Sequence, residues 1–389
     1  MKVVYITVPS FFDLEISLIR ELSKLVEINV LLIIQPESMH SSAFSIQTLL
    51  HKPCVVPAIE YPGMEKYGAM IDLNIWNIAV NPDNSLLSCI KLDNLIKTFI
   101  NELKPDIIHC TTACKTMSLM SLFIRNHHNV IYTLHDPIAH EKQNSIKKII
   151  SDIYLHSYRN LLILSEYHLP ILEKIVPGKN VFLSRLGVYD FLTYYEKTEN
   201  IYGKYILFTG RISSYKGVDI LIKAFNKSNA SKYGVKLIIA GKGKIDGITI
   251  NDLNDNIVLI NSYIENDLLA NLIRNCLFGV LPYRTATQSG VLMCYYAFNK
   301  PVVATSVGDL SISIKNEKTG ILCNANDIND LAKAINNMLE LNLDILSDNI
   351  RTEYSGNGIK SWMCIANNLY TTYRKIIGSY PVNEKHKIR

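Results

Sequence analysis

Arg211 and Lys216 are the residues best suited to chemistry in this chain of 389 residues. They stand in the run Phe208-Thr209-Gly210-Arg211-Ile212-Ser213-Ser214-Tyr215-Lys216-Gly217-Val218-Asp219. The pattern predicts a strand ending at Thr209, a loop carrying both cations and a helix starting near Gly217. Two cations at the carboxyl end of a strand suit a diphosphate. Arg grips phosphate oxygens with a bidentate fork, and Lys acts as a point charge. Gly210 lets the backbone turn sharply. By spacing alone, two solvated cations in an ordinary βα loop would look the same. A second run, Gln288-Ser289-Gly290, precedes an apolar helix. Free N–H groups at that helix start attract a phosphate or sugar oxygen. Read alone, the simpler account of this run is an N-cap made by Ser289.

The elements that must position these residues alternate strand and helix along the whole chain. The first half predicts strands at Lys2–Val8, Ile28–Ile34, Asp106–His109, Val130–Leu134, Asn160–Leu164 and Val181–Leu183. Helical stripes fall between them at Asp13–Val26, Leu92–Leu103, Lys115–Arg125, Ser145–His156 and Glu166–Ile175. Asp190–Lys204 is irregular, charged and rich in tyrosine, which marks a linker. The pattern then restarts with strands at Tyr205–Thr209, Val235–Ala240, Ile257–Ile260, Leu277–Leu281, Pro301–Ala304 and Gly320–Cys323. Helices are expected at Val218–Asn226, Asn266–Asn275, Gly290–Phe298, Ile328–Leu339 and Ile359–Ile377. Continuous apolar strands alternating with helices mean a parallel sheet covered on both faces. The expectation is two Rossmann-like, doubly wound α/β domains facing a cleft. They would span residues 1–195 and 196–360, with residues 361–389 a helix returning to the first domain and a basic tail.

Composition narrows the function classes. At 48% hydrophobic residues the chain has ample material for packed cores, which excludes disorder. No apolar run approaches the roughly 18–20 residues of a spanning helix. Met1–Val8 lacks the apolar region of a secretion signal, so a cytoplasmic location is expected. The eight cysteines include no CxxC pair and read as free thiols. Residues 1–200 hold 18 Lys and Arg against 20 Asp and Glu, a net −2; residues 201–389 hold 22 against 15, a net +7. With no dense basic stripe, this surplus fits a small anionic ligand held by the second half rather than a nucleic acid.

The ordered motifs from Tyr205 to Leu339 resemble glycosyltransferase family 4, the retaining type with the two-Rossmann-domain GT-B fold. They are Gly210-Arg211 with Lys216-Gly217, Ile238-Ile239-Ala240-Gly241-Lys242-Gly243, Val280-Leu281-Pro282-Tyr283, Gln288-Ser289-Gly290, Lys300-Pro301-Val302-Val303-Ala304-Thr305, Val307-Gly308 and Lys318-Thr319-Gly320-Ile321-Leu322. A weaker likeness covers Asp106-Ile107-Ile108-His109, Thr133-Leu134-His135-Asp136-Pro137 and Leu186-Gly187-Val188-Tyr189-Asp190. The resemblance implies that the second domain binds a nucleotide-sugar donor and the first an acceptor. It gives Arg211 and Lys216 the role of neutralising the donor diphosphate in place of a metal, so no metal or other cofactor is expected. It places Tyr263 and Ile264 near the base. It sets His135, with Asp136 beside it, near the transferred sugar. His109, at another strand end, is the rival histidine.

The chain also departs from the family pattern. Two glutamates eight residues apart would fall at Ala286 and Cys294, and a third acid is missing from Gly308-Asp309-Leu310-Ser311-Ile312. The chain resembles a Gln-Ser-Gly subgroup, in which Thr285, Thr287, Gln288 and Ser289 would offer neutral hydrogen bonds to the sugar. The glycine-rich loop after the first strand is replaced by Pro9-Ser10-Phe11-Phe12. Gly241-Lys242-Gly243-Lys244-Ile245-Asp246-Gly247 has one residue too many for a dinucleotide fingerprint, which argues against a dehydrogenase.

A basic amphipathic stretch holds Ile146, Lys147, Lys148, Ile149, Ile150, Tyr154, Leu155, Tyr158 and Arg159. It reads as a helix on the sheet, or as a peripheral contact with an anionic inner leaflet. The expected function is transfer of a sugar to a glycan or lipid-linked acceptor in surface polysaccharide or glycolipid synthesis. The alternatives are an inactive nucleotide-sugar-binding partner of an active transferase, and a GT-B epimerase, which would need a general base that the second domain does not offer.

Overall fold

The computed structural model describes residues 1–41, 43–111, 129–135, 155–249, 252–286 and 288–378. The chain divides into two compact units. One joins Met1–Arg185 to the chain from Met363 onward, and the other is Leu186–Trp362.

The first unit is built on an eight-stranded sheet. Its strands are β1 (Lys2–Thr7), β2 (Glu27–Ile34), β3 (Cys54–Pro57), β4 (Trp76–Val80), β5 (Ile107–Cys110), β6 (Val130–Leu134), β7 (Asn160–Ile163) and β8 (Asn180–Leu183). Their order is β3-β4-β2-β1-β5-β6-β7-β8. All neighbours run parallel except the edge strand β3, which is antiparallel to β4. Parallel neighbours need crossover connections, and these cover both faces with apolar side chains. Helix Phe12–Leu22 buries Phe12, Leu14, Ile16, Ile19 and Leu22. Helix Leu86–Leu103 starts at the Ser85 cap, whose hydroxyl accepts from Ser88 N, and ends where Lys104 turns left-handed. The sheet reverses its winding between β1 and β5, and the carboxyl ends of two such strands open a crevice for ligand.

Strands β3 and β4 lie in a stretch without helical or alternating periodicity. That excursion is held by aromatic packing instead. The Phe12 ring meets Phe44, Tyr67 and Trp76 edge-on, with centroids 5.2, 5.2 and 5.4 Å away.

The second unit carries six parallel strands: β9 (Tyr205–Thr209), β10 (Lys236–Ala240), β11 (Ile257–Ile260), β12 (Gly279–Leu281), β13 (Val302–Thr305) and β14 (Gly320–Cys323). Their order is β11-β10-β9-β12-β13-β14, so the switch of winding lies between β9 and β12. Helices Val218–Lys227, Asn266–Asn275, Gly290–Ala297 and Ile328–Glu340 connect the strands. Asp327 caps the last of these by accepting from Asn329 and Asp330 N–H. A further helix, Leu343–Tyr354, has no counterpart in the sequence reading. The 190–204 stretch is tied to helix Asn266–Asn275. Arg274 Nη2 donates to Tyr195 O at 2.7 Å, and Asn271 Oδ1 accepts from Thr198 N at 2.8 Å.

Helix Trp362–Gly378 starts in the second unit and continues in the first. The Trp362 indole donates to Val188 O at 2.9 Å, and the Tyr373 hydroxyl reaches His109 Nδ1 at 2.6 Å. No helix among the described residues is long and apolar enough to cross a membrane. The seven described cysteines are free thiols; Cys114 lies outside the described residues.

Candidate functional site

The second-unit candidates gather along one edge of their sheet, in the loops that follow β9, β11 and β12. The β9 loop passes through Gly210 and a 3-10 turn at Ser214–Lys216 before helix Val218–Lys227 begins. Gly217 has a φ of +65°, and a Cβ there would lie 2.0 Å from Pro282 O. The backbone of the β9 loop thus presses directly on that of the β12 loop, which only glycine permits. The glycine run after β10 has a similar cause: a Cβ on Gly241 would fall 1.9 Å from Gly210 O, and one on Gly243 2.0 Å from Ile212 O. Those glycines let two loops lie side by side, so they need no dinucleotide to explain them.

Lys216 is 8% exposed, and its ammonium lies 3.7 Å from the centre of the Tyr283 ring and 5.2 Å from that of Tyr215. No carboxylate among the described residues pairs with it. Burial, and then the charge of Arg211, pull its pKa down to about 7. Arg211 is exposed, with no hydrogen bond or ion pair among the described residues. Two polar atoms in the flanking loops, Ser213 Oγ and Gln288 Nε2, are buried without a hydrogen-bond partner. Buried polar atoms without a partner are few in a folded chain, and these two lie in the loops that meet at Gly217 and Pro282.

Ser289 is buried and does act as the N-cap of helix Gly290–Ala297, its hydroxyl accepting from Leu292 N at 3.3 Å. Gly290 lies against the Tyr189 ring, where a Cβ would come within 2.8 Å of the hydroxyl. Thr285 is exposed at the mouth of the β12 loop. Ala286 and Cys294 are both 8% exposed, so an acid at either position would be nearly buried. Tyr263 is 59% exposed in the β11 loop, with Ile264 half-buried beside it. Thr287, Asp136 and most of the basic amphipathic stretch, including Lys147 and Lys148, lie outside the described residues.

The first unit separates the two histidines. His109 is fully buried, its Nδ1 2.6 Å from the Tyr373 hydroxyl and its Nε2 2.6 Å from Thr133 Oγ1. Burial, and then the charge of His135, hold it neutral with a pKa of about 3. Both ring nitrogens are engaged inside the unit, so His109 cannot serve as the ligand-facing rival. His135 follows β6 near the β1–β5 switch, stacked on Phe11 with centroids 3.7 Å apart and an interplanar angle of 8°. Phe11 belongs to the Pro9-Ser10-Phe11-Phe12 run that follows β1. His135 Nε2 lies 3.9 Å from Glu15 Oε1, and burial lowers its pKa to about 3.

Glu15 is 1% exposed, and neither of its oxygens makes a well-directed hydrogen bond. Burial pushes its pKa up to about 8, only partly offset by the nearby hydroxyls of Thr7 and Thr111. Burial thus favours the protonated carboxyl, which is able to donate a hydrogen bond. Among the described residues no group of three His, Cys, Asp or Glu side chains is placed to hold a metal ion.

Residues 203–341 match the family described as Glycosyl transferases group 1. That span carries every candidate of the second unit and none of the first. The chain is 31% identical over 231 residues to an uncharacterised glycosyltransferase of Methanocaldococcus jannaschii, covering 59% of this chain and 62% of that one. It is 25% identical over 199 residues to the D-inositol 3-phosphate glycosyltransferase of Mycobacterium marinum, covering 48% and 41%. The chain thus spans less than two thirds of the length of these curated relatives. Among solved structures it is similar to Anabaena Alr3699/HepE in complex with UDP-glucose. The TM-score is 0.66 at 16% identity, over 96% of this chain and 100% of that one. A likeness at that identity shows the fold, which is GT-B with two parallel-sheet α/β domains.

Three further site residues escaped the sequence reading. Glu15 had a signal, because it falls on the apolar stripe of its helix with Phe12, Ile19 and Leu22. Tyr283 had none beyond its motif, since nothing local says that its ring will cover Lys216. Arg284 meets Asp219 across 65 positions of sequence, a pairing that only the sheet order creates.

Proposed function

We propose that the second unit binds a nucleotide-sugar through its diphosphate, and that the chain is a retaining, metal-independent glycosyltransferase. The observation that carries this reading is Lys216, a buried lysine with no carboxylate partner among the described residues, on the β9 loop at the β9–β12 switch, where the β9 and β12 loops also hold the orphaned Ser213 Oγ and Gln288 Nε2. Arg211 adds an exposed guanidinium on the same loop, with no ion pair among the described residues. Together the two cations would compensate the charge that grows on the leaving diphosphate as the sugar–phosphate bond breaks. That is the service a divalent ion gives elsewhere, which is why a metal is not expected to be required. The match to Glycosyl transferases group 1 over the same residues supports the reaction class. UDP-glucose, bound by the structural relative, is the first donor to try.

In this reading Tyr263 offers an exposed ring to the base, and Thr285, Gln288 and the start of helix Gly290–Ala297 hold the sugar hydroxyls. The first unit takes the acceptor, a glycan or lipid-linked oligosaccharide of surface polysaccharide or glycolipid synthesis. His135 orients the transferred sugar there. Retention of anomeric configuration, a cytoplasmic setting and contact with the inner leaflet follow the family resemblance.

The experiment is calorimetry of the purified chain against a panel of nucleotide-sugars, followed by transfer and hydrolysis assays. Binding of one donor with turnover supports the reading. Binding without turnover on any acceptor would favour a non-catalytic partner of an active transferase. A thermal-shift screen is the quick form, since a ligand at 100 times its Kd stabilises by about 2.7 kcal/mol.

A further inference from the structure

Three buried polar atoms of the first unit that lack a hydrogen bond belong to one pair of side chains: both carboxyl oxygens of Glu15 and Nε2 of His135. Glu15 is 1% exposed on helix Phe12–Leu22, and His135 follows β6. His135 Nε2 lies 3.9 Å from Glu15 Oε1, too long for a hydrogen bond in the free chain. Hydrogen bonds in active sites are often this long before a ligand binds, and they tighten when it does. Leaving such groups unpaired is costly, and each is the other's partner at hand.

The surroundings set the geometry and the charge. The Phe11 ring, stacked 3.7 Å away, fixes the plane of the imidazole. Nε2 is the nitrogen turned to Glu15, so Nδ1 is the one left for a ligand. Among the described residues, Glu15 is faced by Asp13 on its own helix, Tyr5 on β1 and Tyr373 on helix Trp362–Gly378, besides the hydroxyls of Thr7 and Thr111. His109 faces His135 from β5 and is itself neutral. None of these is a cation that would hold Glu15 ionised. Burial favours the protonated carboxyl and the neutral imidazole, with pKa values of about 8 and about 3.

The pair then carries two protons. One lies on the carboxyl and can be given to Nε2, which leaves the ring proton on Nδ1. If the shared proton crosses to Nε2, Nδ1 still keeps its own, so the outward nitrogen is a donor either way. When the pair loses one proton at high pH, the remaining one sits on Nε2 facing the carboxylate. Nδ1 then becomes an acceptor.

We propose that Glu15 is a positioning residue which shares a proton with His135 Nε2, and so presents His135 Nδ1–H as a donor to an oxygen of the sugar. The inference rests on the reading above that His135 faces the sugar. Glu15 itself touches no ligand; it acts by choosing the tautomer of its neighbour.

Nitrogen-15 labelling of the histidines reads that tautomer directly by NMR, with His135→Gln assigning the signal. The wild-type chain should show Nδ1–H at pH 6.5 and turn to Nε2–H through a midpoint near 8. Glu15→Gln cannot ionise and should show no such step up to pH 9. Glu15→Leu, which has nothing to donate, should lose the Nδ1–H preference. In hydrolysis of saturating UDP-glucose, wild-type kcat should fall about tenfold more than that of Glu15→Gln between pH 7 and pH 9. Any contribution of Lys216 is common to both chains and cancels in that comparison. A merely structural role would lower the melting temperature of Glu15→Leu without changing the tautomer. Nε2–H in the wild-type chain at pH 6.5, a step that survives in Glu15→Gln, or an unchanged tautomer in Glu15→Leu overturns the proposal. The expected tautomers in a chain that neither binds nor turns over any nucleotide-sugar would overturn the underlying reading instead.

Discussion

Lys216 Nζ sits 3.7 Å from the centroid of the Tyr283 ring, with Tyr215 at 5.2 Å on another side. The face of an aromatic ring attracts a cation through its quadrupole but carries no net charge. Lys216 is therefore held in place without being neutralised. Phosphate oxygens would supply what the rings do not.

This geometry predicts proton uptake on binding. The free chain has Lys216 near 7, and a bound diphosphate favours its charged form. At pH 8, titration with UDP-glucose in buffers of different ionisation enthalpy should show net proton uptake by the complex. Affinity should climb roughly tenfold between pH 8.5 and pH 6.5. A pH-independent affinity would remove Lys216 from the site.

Arg211→Ala and Lys216→Ala are each expected to abolish sugar transfer while leaving the circular dichroism spectrum unchanged. His135→Ala should lose most turnover, and its melting temperature should fall through loss of the Phe11 stack. Near-wild-type rates in any of the three would return that residue to a structural role.

Glu15 should leave a trace in stability against pH. Its pKa is raised in the folded chain from 4.5 to about 8, so its contribution is fully present below pH 4.5 and is lost as pH rises through 8. Glu15→Gln cannot ionise, so it should gain on the wild type between pH 6 and pH 9 in urea denaturation. Parallel curves for the two proteins would show that the carboxyl is better solvated than its burial implies.

Tyr373→Phe removes the hydroxyl that meets His109 Nδ1 and leaves a buried ring nitrogen alone. The expected cost is about 1–3 kcal/mol of stability with donor affinity unchanged. Weaker donor binding would mean that this bond serves more than packing.

Much of the frame was legible in the sequence because parallel strands are short continuous apolar runs. Strands Val130–Leu134, Tyr205–Thr209, Ile257–Ile260 and Gly320–Cys323 and helix Asn266–Asn275 fall where the pattern puts them. Strands Cys54–Pro57 and Trp76–Val80 did not announce themselves, because their stretch is ordered by Phe12, Phe44, Tyr67 and Trp76 rather than by periodicity. Helix Leu343–Tyr354 was missed because its buried residues Leu346, Ile350 and Tyr354 form only a narrow stripe, one residue per turn. At the site, Arg211 and Lys216 could be read from charge and place. What Lys216 faces could not, because Tyr283 and Arg284 arrive from β12 through tertiary folding alone.

The crossing of helix Trp362–Gly378 between units bears on how such a chain can be taken apart. Leu186–Trp362 is one uninterrupted stretch, so two cuts in the chain would excise it whole. The first unit has no such portability. A fragment ending at Arg185 would lack Tyr373 and would open the interior around His109 to water. Any exchange of the second unit must therefore hand the chain back to its host with that final strap intact.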